Sequence, residues 1–269
     1  MVDTGAYLVR PGQKVRLAER PTRDNGDFTD SSTGKDLMGH LAHRLAELQV
    51  LLHASGAAKV LVVLQGMDTS GKDSTTRRVF AETSLLGMRV ANFKRPTDVE
   101  LAREYLWRVT AQLPADGEIV VFNRSHYEDV LVVRVRELVP AERWERRYQH
   151  IVDFERRLID EGTVIRKFFL HISSDEQRER LQERVDNPRK HFKFEHGDLA
   201  ERKLWDEYQL AYEVALERTS TAEAPWYVVP GDRKWYRDLV VAQVLVEALE
   251  GLDMSYPEAP SGIEGLVIE

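Results

Sequence analysis

Short apolar runs alternate with longer amphipathic stretches through the middle of the chain. One stretch from Leu37 to Gly56 repeats leucine at helical spacing, and another runs from Lys234 to Leu252. The pattern also predicts five strands: Lys59 to Gln65, Arg89 to Lys94, Glu118 to Phe122, Arg166 to Ile172 and Trp226 to Val229. Strands that alternate with helices form parallel sheets with helices on both faces. We therefore expect an α/β fold with a parallel five-stranded sheet between helices.

The remaining segments predict one domain with additions at both ends. The segment from Arg20 to Asp36 is rich in Asp, Ser, Thr and Gly, which is typical of an exposed connector behind a surface arm. A long, strongly charged helical stretch separates the fourth and fifth strands, which predicts a helical lid at about 178–203. We expect an arm and connector over 1–36, a single domain over 37–252 and a flexible tail over 253–269.

Composition excludes several classes of protein. The chain has 269 residues, no cysteine, and 38 basic against 45 acidic side chains. Without cysteine there is no disulfide, thiolate nucleophile or cysteine-bound metal, which favours a cytoplasmic location. The apolar runs are far shorter than the roughly 20 residues that cross a bilayer, so we expect no membrane partner. A pI near 5.7 argues against nucleic-acid binding, so a polyanion would need local clusters of basic residues.

The first predicted strand runs directly into a glycine-rich loop. Gly66, Gly71 and Lys72 form the pattern G-x-x-x-x-G-K between this strand and a helical stretch. Such a loop turns successive backbone N–H groups into one concavity, and the helix N-terminus and the lysine add positive charge. The pattern therefore predicts a phosphate-binding loop; the alternative is a glycine-rich turn that merely ends a strand.

The residue after this lysine departs from the usual phosphate-binding loop. Asp73 stands where Ser or Thr normally binds magnesium, and Ser74 follows as a substitute ligand. Asp68, inside the loop, adds a second carboxylate. Carboxylates bind hard cations, so we expect Mg²⁺, with Mn²⁺ as an alternative, held differently from that of an ordinary ATPase.

A second polar cluster follows the third predicted strand, from Asn123 to Asp129. Ligands bind where strands of such sheets end. Asn123 cannot carry negative charge, so Glu128 or Asp129 would supply the metal-binding acid, and Arg124 would stabilise a transferring phosphoryl group. The alternative is a helix N-terminus capped by Asn123 or by the serine that follows Arg124. His126 in this cluster is as compatible with packing or hydrogen bonding as with chemistry.

Basic side chains are concentrated near these two clusters. The predicted lid contains a run with Arg184, Arg189, Lys190 and Lys193, which would hold phosphates through charge-assisted contacts. Further candidates for binding a linear polyanion are Arg77 and Arg78 on the helix after the loop and Lys94 at the end of the second strand. The alternative for each is an ordinary solvated surface charge.

Four segments together resemble the polyphosphate kinase 2 family. They are Gly66 to Asp73, Val121 to Val135, Lys167 to Ser173 and Ala224 to Ala242, and the resemblance extends over nearly the whole chain. It implies a P-loop kinase fold similar to that of thymidylate kinase and magnesium-dependent phosphoryl transfer between inorganic polyphosphate and a nucleotide. It also implies assembly into homodimers or homotetramers.

The pair Asn123 and Glu128 resembles class III of that family, because class I has Asp at the first position and Asn at the second. The resemblance implies that AMP is phosphorylated to ADP and then to ATP, with guanine nucleotides as an alternative substrate. We expect direct in-line transfer, with magnesium held by Asp68 and by Glu128 or Asp129. Two rival functions stay open: a nucleoside monophosphate kinase that uses ATP as donor, and a nucleotide-binding switch with little turnover.

Overall fold

In a computed structural model that describes residues 2–263 and 265–268, the chain forms a six-stranded sheet flanked by helices. The strands are β1 (Leu8–Val9), β2 (Lys59–Gln65), β3 (Met88–Asn92), β4 (Ile119–Asn123), β5 (Thr163–His171) and β6 (Trp226–Pro230). The helices are α1 (Ser31–Ser55), α2 (Lys72–Val79), α3 (Asp98–Leu101), α4 (Trp107–Thr110), α5 (Val132–Val135), α6 (Ala141–Asp160), α7 (Ser174–Asp186), α8 (His196–Arg202), α9 (Trp205–Thr219) and α10 (Lys234–Glu250). Met1 of the predicted arm and Glu264 and Glu269 of the predicted tail lie outside the described residues.

The α/β class predicted from the sequence is confirmed, but the strand number was wrong. The strand order is β1-β6-β5-β2-β4-β3, and β2 to β6 are parallel. The sixth strand is β1, which pairs antiparallel with β6 through Leu8 opposite Tyr227 and Val9 opposite Trp226. A two-residue strand shows no periodicity of its own, so its sequence pattern could not reveal it.

Strand β2 separates two hydrophobic cores. Its side chains alternate in direction, so Leu61 and Val63 face one core and Val60 and Val62 face the other. The first core is closed by α6 and α9, and the second by α1, α2 and α10. The result is the three-layer arrangement expected of a parallel sheet, which leaves the carboxyl ends of the strands free at one edge.

The predicted arm and connector are more ordered than the sequence suggested. Helix α1 begins at Ser31 rather than Leu37, because the Asp30 carboxylate accepts hydrogen bonds from the backbone N–H groups of Ser32 and Thr33. Val9 in the arm is fully buried, so the expectation of a surface arm was wrong at this position. The polar composition of the connector concealed this helix start.

The other predicted elements agree with the structure to within a few residues. Strand β2 has the predicted bounds, and β5 begins at Thr163, three residues earlier than predicted. Helix α10 begins at Lys234 as predicted and ends at Glu250. None of the described helices combines the length and apolar character needed to cross a membrane.

The predicted lid region lies between β5 and α9. It contains the second half of α7, a 3₁₀ helix over Pro188–Lys193, and α8. Asn187 begins the 3₁₀ helix by accepting a hydrogen bond from the backbone of Arg189. This short, charged segment therefore differs from α9, which returns to the sheet and packs in the core. That the segment closes over a ligand stays a prediction.

Two glycines of α1 allow a matched test of its packing on α10. A Cβ on Gly34 would overlap the Trp235 ring, whereas a Cβ on Gly39 would have no heavy atom within 4 Å apart from the adjoining backbone of its own helix. We expect Gly34→Ala to lower the free energy of unfolding by about 1–3 kcal/mol through overpacking. Gly39→Ala should raise it by about 0.5–1 kcal/mol, because alanine favours the helix. Urea unfolding checks both, and equal effects at the two sites would contradict this packing.

Candidate active site

A polar cleft of about 930 Å³ lies at the carboxyl ends of β2 and β4. The loop after β2 forms its floor, the segment after β4 forms one wall, and side chains from α7, the 3₁₀ helix Pro188–Lys193 and α8 line the opposite side. This position is where open parallel sheets bind ligands. The two clusters that the sequence singled out therefore meet in one cavity.

The glycine-rich loop has the backbone conformation that its sequence predicts. Gly66 has φ 151° and Gly71 has φ 100°, both in the region that side chains disfavour. The loop then enters α2 with Gly71 at the position before its first residue. The N-terminus of an eight-residue helix thus adjoins a tightly curved loop, which suits an anionic ligand.

Lys72 lies almost completely buried beneath this loop. Its ammonium group donates to the carbonyl oxygen of Gly66 at 2.8 Å and faces the carbonyl oxygen of Met67 at 3.3 Å and Ser70 Oγ at 3.4 Å. Burial, together with the positive charge of Arg124, lowers the pKa of Lys72 to about 8. A nearby phosphate would strongly stabilise a buried cation that is otherwise held only by neutral oxygens.

Two buried arginines hold the loop from below, and the sequence did not single them out. Arg180 of α7 donates to the carbonyl oxygens of Thr69 (2.9 Å) and Ser70 (3.2 Å). Arg237 of α10 donates to Ser70 O at 3.0 Å and to Ser74 Oγ at 3.0 Å. The Arg180 contacts connect the loop to α7, the helix that leads into the predicted lid, and the Arg237 contacts connect it to α10. Charged residues on amphipathic helices gave no signal to separate them from surface ion pairs.

Asn123, the last residue of β4, contacts Asp73 in the first turn of α2. Asn123 Nδ2 donates to Asp73 Oδ1 at 2.5 Å and to Asn92 Oδ1 at 2.9 Å. Ser74 lies next to Asp73 in the chain, but its hydroxyl donates to the Gly71 carbonyl oxygen at 2.8 Å. Asp73 therefore lies at the cleft with a neutral amide partner, and Ser74 is already engaged within the loop.

Arg124 lies between two carboxylates of the cleft. Its guanidinium is 3.5 Å from Asp68 Oδ1 and 3.7 Å from Glu128 Oε2. The Arg124 backbone has φ 61°, which is unusual for a side chain of this size and turns the chain out of β4. Glu128 raises the pKa of Arg124, so the guanidinium is firmly charged. The arrangement places one cation and two acids around a common space.

Asp129 does not share this space. Its carboxylate accepts a hydrogen bond at 2.8 Å from Arg147 of α6, and Arg147 also binds its backbone carbonyl oxygen at 3.0 Å. The residue is absent from the lining of the cleft, whereas Glu128 contributes to it. Burial raises the pKa of Asp129 to about 6, despite the charge of Arg147. Of the two acids that the sequence offered, the structure brings Glu128 to the cleft.

The basic residues of the predicted lid divide into two groups. Arg184, Lys190 and Lys193 line the cleft, and Lys94 lines it from the end of the sheet. The other candidates, Arg77, Arg78 and Arg189, are exposed residues outside this lining. Arg78 lies 3.8 Å from Asp238 of α10. A polyanion in the cleft would thus meet the first group directly.

Asp198 of α8 is a cleft residue that sequence reasoning missed. Arg184 Nη1 donates to Asp198 Oδ2 at 3.1 Å and lies 4.0 Å from Asp68 Oδ2. Burial alone would raise the pKa of Asp68, but Lys72, Arg124 and Arg184 outweigh it and lower the pKa. Asp198, with fewer cations around it, has its pKa raised to about 6 by burial and by Asp68. Asp68 is thus the ionised acid that a cation would meet.

The acidic residues of the cleft suit a metal ion that keeps most of its water ligands. Among the described residues, no group of three or more acidic or histidine side chains is arranged to enclose a metal ion. Magnesium, however, needs only one or two carboxylates when phosphates supply other ligands. Asp68 and Glu128 meet that requirement, and both are acidic oxygen donors on the cleft surface.

Comparison with known proteins gives consistent results. A family model described as Polyphosphate kinase 2 (PPK2) matches residues 29–257. An AMP/ADP-polyphosphate phosphotransferase from Meiothermus ruber is 55% identical over 98% of this chain and 99% of its own. An ADP-polyphosphate phosphotransferase from Rhodopseudomonas palustris is 43% identical over 96% of this chain and 93% of its own. The crystal structure of polyphosphate kinase 2 from Arthrobacter aurescens TC1 matches with a TM-score of 0.88 at 45% identity, covering 91% of this chain and 88% of that one.

Proposed function

Because the chain belongs to the polyphosphate kinase 2 family, we propose that it transfers phosphoryl groups between inorganic polyphosphate and AMP or ADP, forming ADP and ATP. The cleft supports this most directly: it combines a phosphate-binding loop with the basic side chains Arg184, Lys190 and Lys193 from the lid side. A nucleotide phosphate and a longer polyanion can thus be held against each other. The proposed acceptors follow the name of the Meiothermus ruber relative.

We assign the reaction to direct transfer from polyphosphate to the nucleotide. The loop amides and Lys72 hold phosphate oxygens at the floor, and Arg124 stabilises the charge on the transferring phosphoryl group. A nucleotide phosphate oxygen is already a nucleophile, so the site needs positioning and charge more than a strong base. The row of lid cations keeps the remainder of the polyphosphate chain in place.

The magnesium ion in this proposal is held by Asp68 and Glu128. When bound, it would supply positive charge that offsets the repulsion between the donor and acceptor phosphates. Manganese, which also prefers oxygen ligands, is an alternative metal. Asn123 carries no charge, so Glu128 supplies the acid of the segment that follows β4. The cytoplasmic location, the homodimer or homotetramer and the use of guanine nucleotides stay predictions.

The Glu128→Gln variant tests whether Glu128 is a ligand of the metal ion. We expect the half-saturating magnesium concentration for turnover to rise about 10-fold or more, because one carboxylate ligand is lost. Asp129→Asn is the matched control, since Asp129 faces Arg147 instead of the cleft. Titration of turnover and of manganese binding, the latter by electron paramagnetic resonance, measures both variants. A larger metal defect in Asp129→Asn than in Glu128→Gln would contradict this metal assignment.

Product analysis tests the proposed acceptors. The purified protein is incubated with magnesium and long-chain polyphosphate, plus AMP in one reaction and ADP in another, without ATP. We expect ADP and then ATP from AMP, and ATP from ADP, when products are separated by chromatography. ATP from ADP alone would remove AMP from the proposal. No product with polyphosphate, but turnover with ATP and AMP, would identify an ordinary nucleoside monophosphate kinase, and binding without turnover would identify a switch.

A further inference from the structure

A fully buried polar network lies beneath the segment that follows β4. It consists of His126, Tyr127, Glu155 of α6 and Lys167 of β5, and we call these four residues the buried network. Their side chains are 0–2% exposed. Ionisable side chains are rarely this deeply buried unless they are paired. None of the four lines the cleft, so substrate binding does not account for them.

Both oxygens of the Glu155 carboxylate are used within this network. Oε2 accepts from Lys167 Nζ at 2.5 Å, and Oε1 accepts from the Tyr127 hydroxyl at 2.8 Å. His126 Nε2 faces the same Oε1 at 3.2 Å. A carboxylate can only accept, so Nε2 carries the proton on the ring. Two consecutive side chains of the segment are therefore fixed to one carboxylate.

Lys167 completes the network on the other side. Its ammonium group also contacts the Tyr127 hydroxyl at 3.0 Å and donates to the carbonyl oxygen of Thr219 at 2.7 Å. Burial alone would raise the pKa of Glu155, but Lys167 and His126 outweigh this effect and lower it. Glu155 is thus ionised and Lys167 balances its charge. All three ammonium hydrogens of Lys167 have an acceptor.

Cleft residues lie at both ends of the buried stretch from Ser125 to Tyr127. Arg124 and Glu128 line the cleft, while the two residues between them that belong to the network point into the core. The turn begins at Arg124, whose left-handed backbone conformation is unfavourable for a residue other than glycine. Contacts elsewhere in the segment must therefore stabilise it. Anchoring the intervening side chains therefore fixes where the cleft side chains are aimed.

We propose that Glu155 is a positioning residue for phosphoryl transfer, because through His126 and Tyr127 it sets the placement of Arg124 and Glu128, and that Lys167 balances the charge of Glu155. This inference rests on the proposed function, in which those two cleft residues act on the transferring phosphoryl group. Neither member of the ion pair touches the substrate. Their effect is expected on the rate of the chemical step, where small displacements of aligned groups are most damaging.

Stability alone does not require this ion pair. Replacing a buried pair by apolar residues of similar size is often neutral or stabilising, whereas removing one partner leaves an unpaired charge in the core. A polar network whose carboxylate and ammonium groups are all paired instead favours one arrangement of the groups it connects. This difference allows stability and positioning to be measured separately in one set of variants.

The test compares two double variants with the parent protein. Lys167→Met with Glu155→Leu removes the charges and the acceptor, so we expect a folded protein whose kcat falls about 10-fold or more while KM values stay within about 2-fold. Lys167→Met with Glu155→Gln retains a carbonyl oxygen for Tyr127 and His126. We expect it to recover kcat to within about 3-fold of the parent. Circular dichroism and thermal unfolding establish that each variant is folded.

Several outcomes would overturn the inference. These are parental kcat in a folded double variant that carries Glu155→Leu, a defect confined to KM, or no recovery in the double variant that carries Glu155→Gln. If the apolar double variant does not fold, Tyr127→Phe serves instead, because it removes one hydroxyl from the network and no charge. We expect kcat to fall about 3-fold or more with KM unchanged, and an unchanged kcat would overturn the inference. A parent protein without polyphosphate-dependent turnover would instead refute the proposed function.

Discussion

Replacing Lys72 with alanine is expected to lower kcat about 1,000-fold, the order of effect seen when a preorganised charge-stabilising group is removed from an active site. Lys72 lies almost buried at the floor of the cleft, and its ammonium group is held by the carbonyl oxygens of Gly66 and Met67. Single-turnover measurement of ADP formation from AMP and polyphosphate checks the result.

The controls for this variant distinguish the loss of the Lys72 charge from a loss of folding. Lys203→Ala removes an exposed lysine near the start of α9 that does not line the cleft, and it should leave kcat within about 2-fold, as is usual for surface changes. Lys72→Ala should remain folded, because alanine leaves no buried charge behind. A folded Lys72→Ala protein with near-parental turnover would exclude this loop as the phosphate site.

Replacing Arg124 with alanine should lower kcat by about 1,000-fold, at the lower end of the range for an arginine that stabilises a transferring phosphoryl group. Arg124 lies within 3.7 Å of both Asp68 and Glu128, so its loss also removes a cation that these two acids share. Arg124→Lys keeps the charge but not the planar donor fork, and we expect an intermediate loss. Initial rates at saturating AMP and polyphosphate give the comparison.

A remote arginine provides the control for Arg124. Arg156 on the outer face of α6 is exposed and lies 3.5 Å from Asp153, so Arg156→Ala should not change kcat by more than about 2-fold. If Arg124→Ala raised KM for polyphosphate and left kcat unchanged, the residue would bind the donor equally in the ground state and the transition state. That outcome would contradict its assigned role in the transition state.

The parts of the fold with strong local patterns could be predicted from the sequence. Strand β2 is a continuous apolar run, and the glycines after it require left-handed backbone angles that leave few other structures. Strand β1 could not be found in the same way, since its two residues become a strand only by pairing with β6. The start of α1 was missed because Asp30 was treated as part of a polar connector.

The residue types of the candidate site could be predicted from the sequence, but the direction in which each side chain points could not. Glu128 and Asp129 are adjacent acids after β4, and only the three-dimensional arrangement shows that one faces the cleft and the other faces Arg147. Arg180 and Arg237 support the phosphate-binding loop from helices distant in sequence. Their contacts depend on tertiary packing, so no local spacing could have indicated them.

The identity of the phosphoryl donor is the central claim, and isotope transfer tests it most directly. The protein is mixed with magnesium, AMP, polyphosphate labelled with phosphorus-32 and unlabelled ATP, and the label in ADP is measured at the earliest times. We predict that ADP forms with the label in its β-phosphate, since polyphosphate is the donor in the cleft. Unlabelled ADP that forms from ATP only when AMP is present, with no label in the ADP, would contradict the account and identify ATP as the donor.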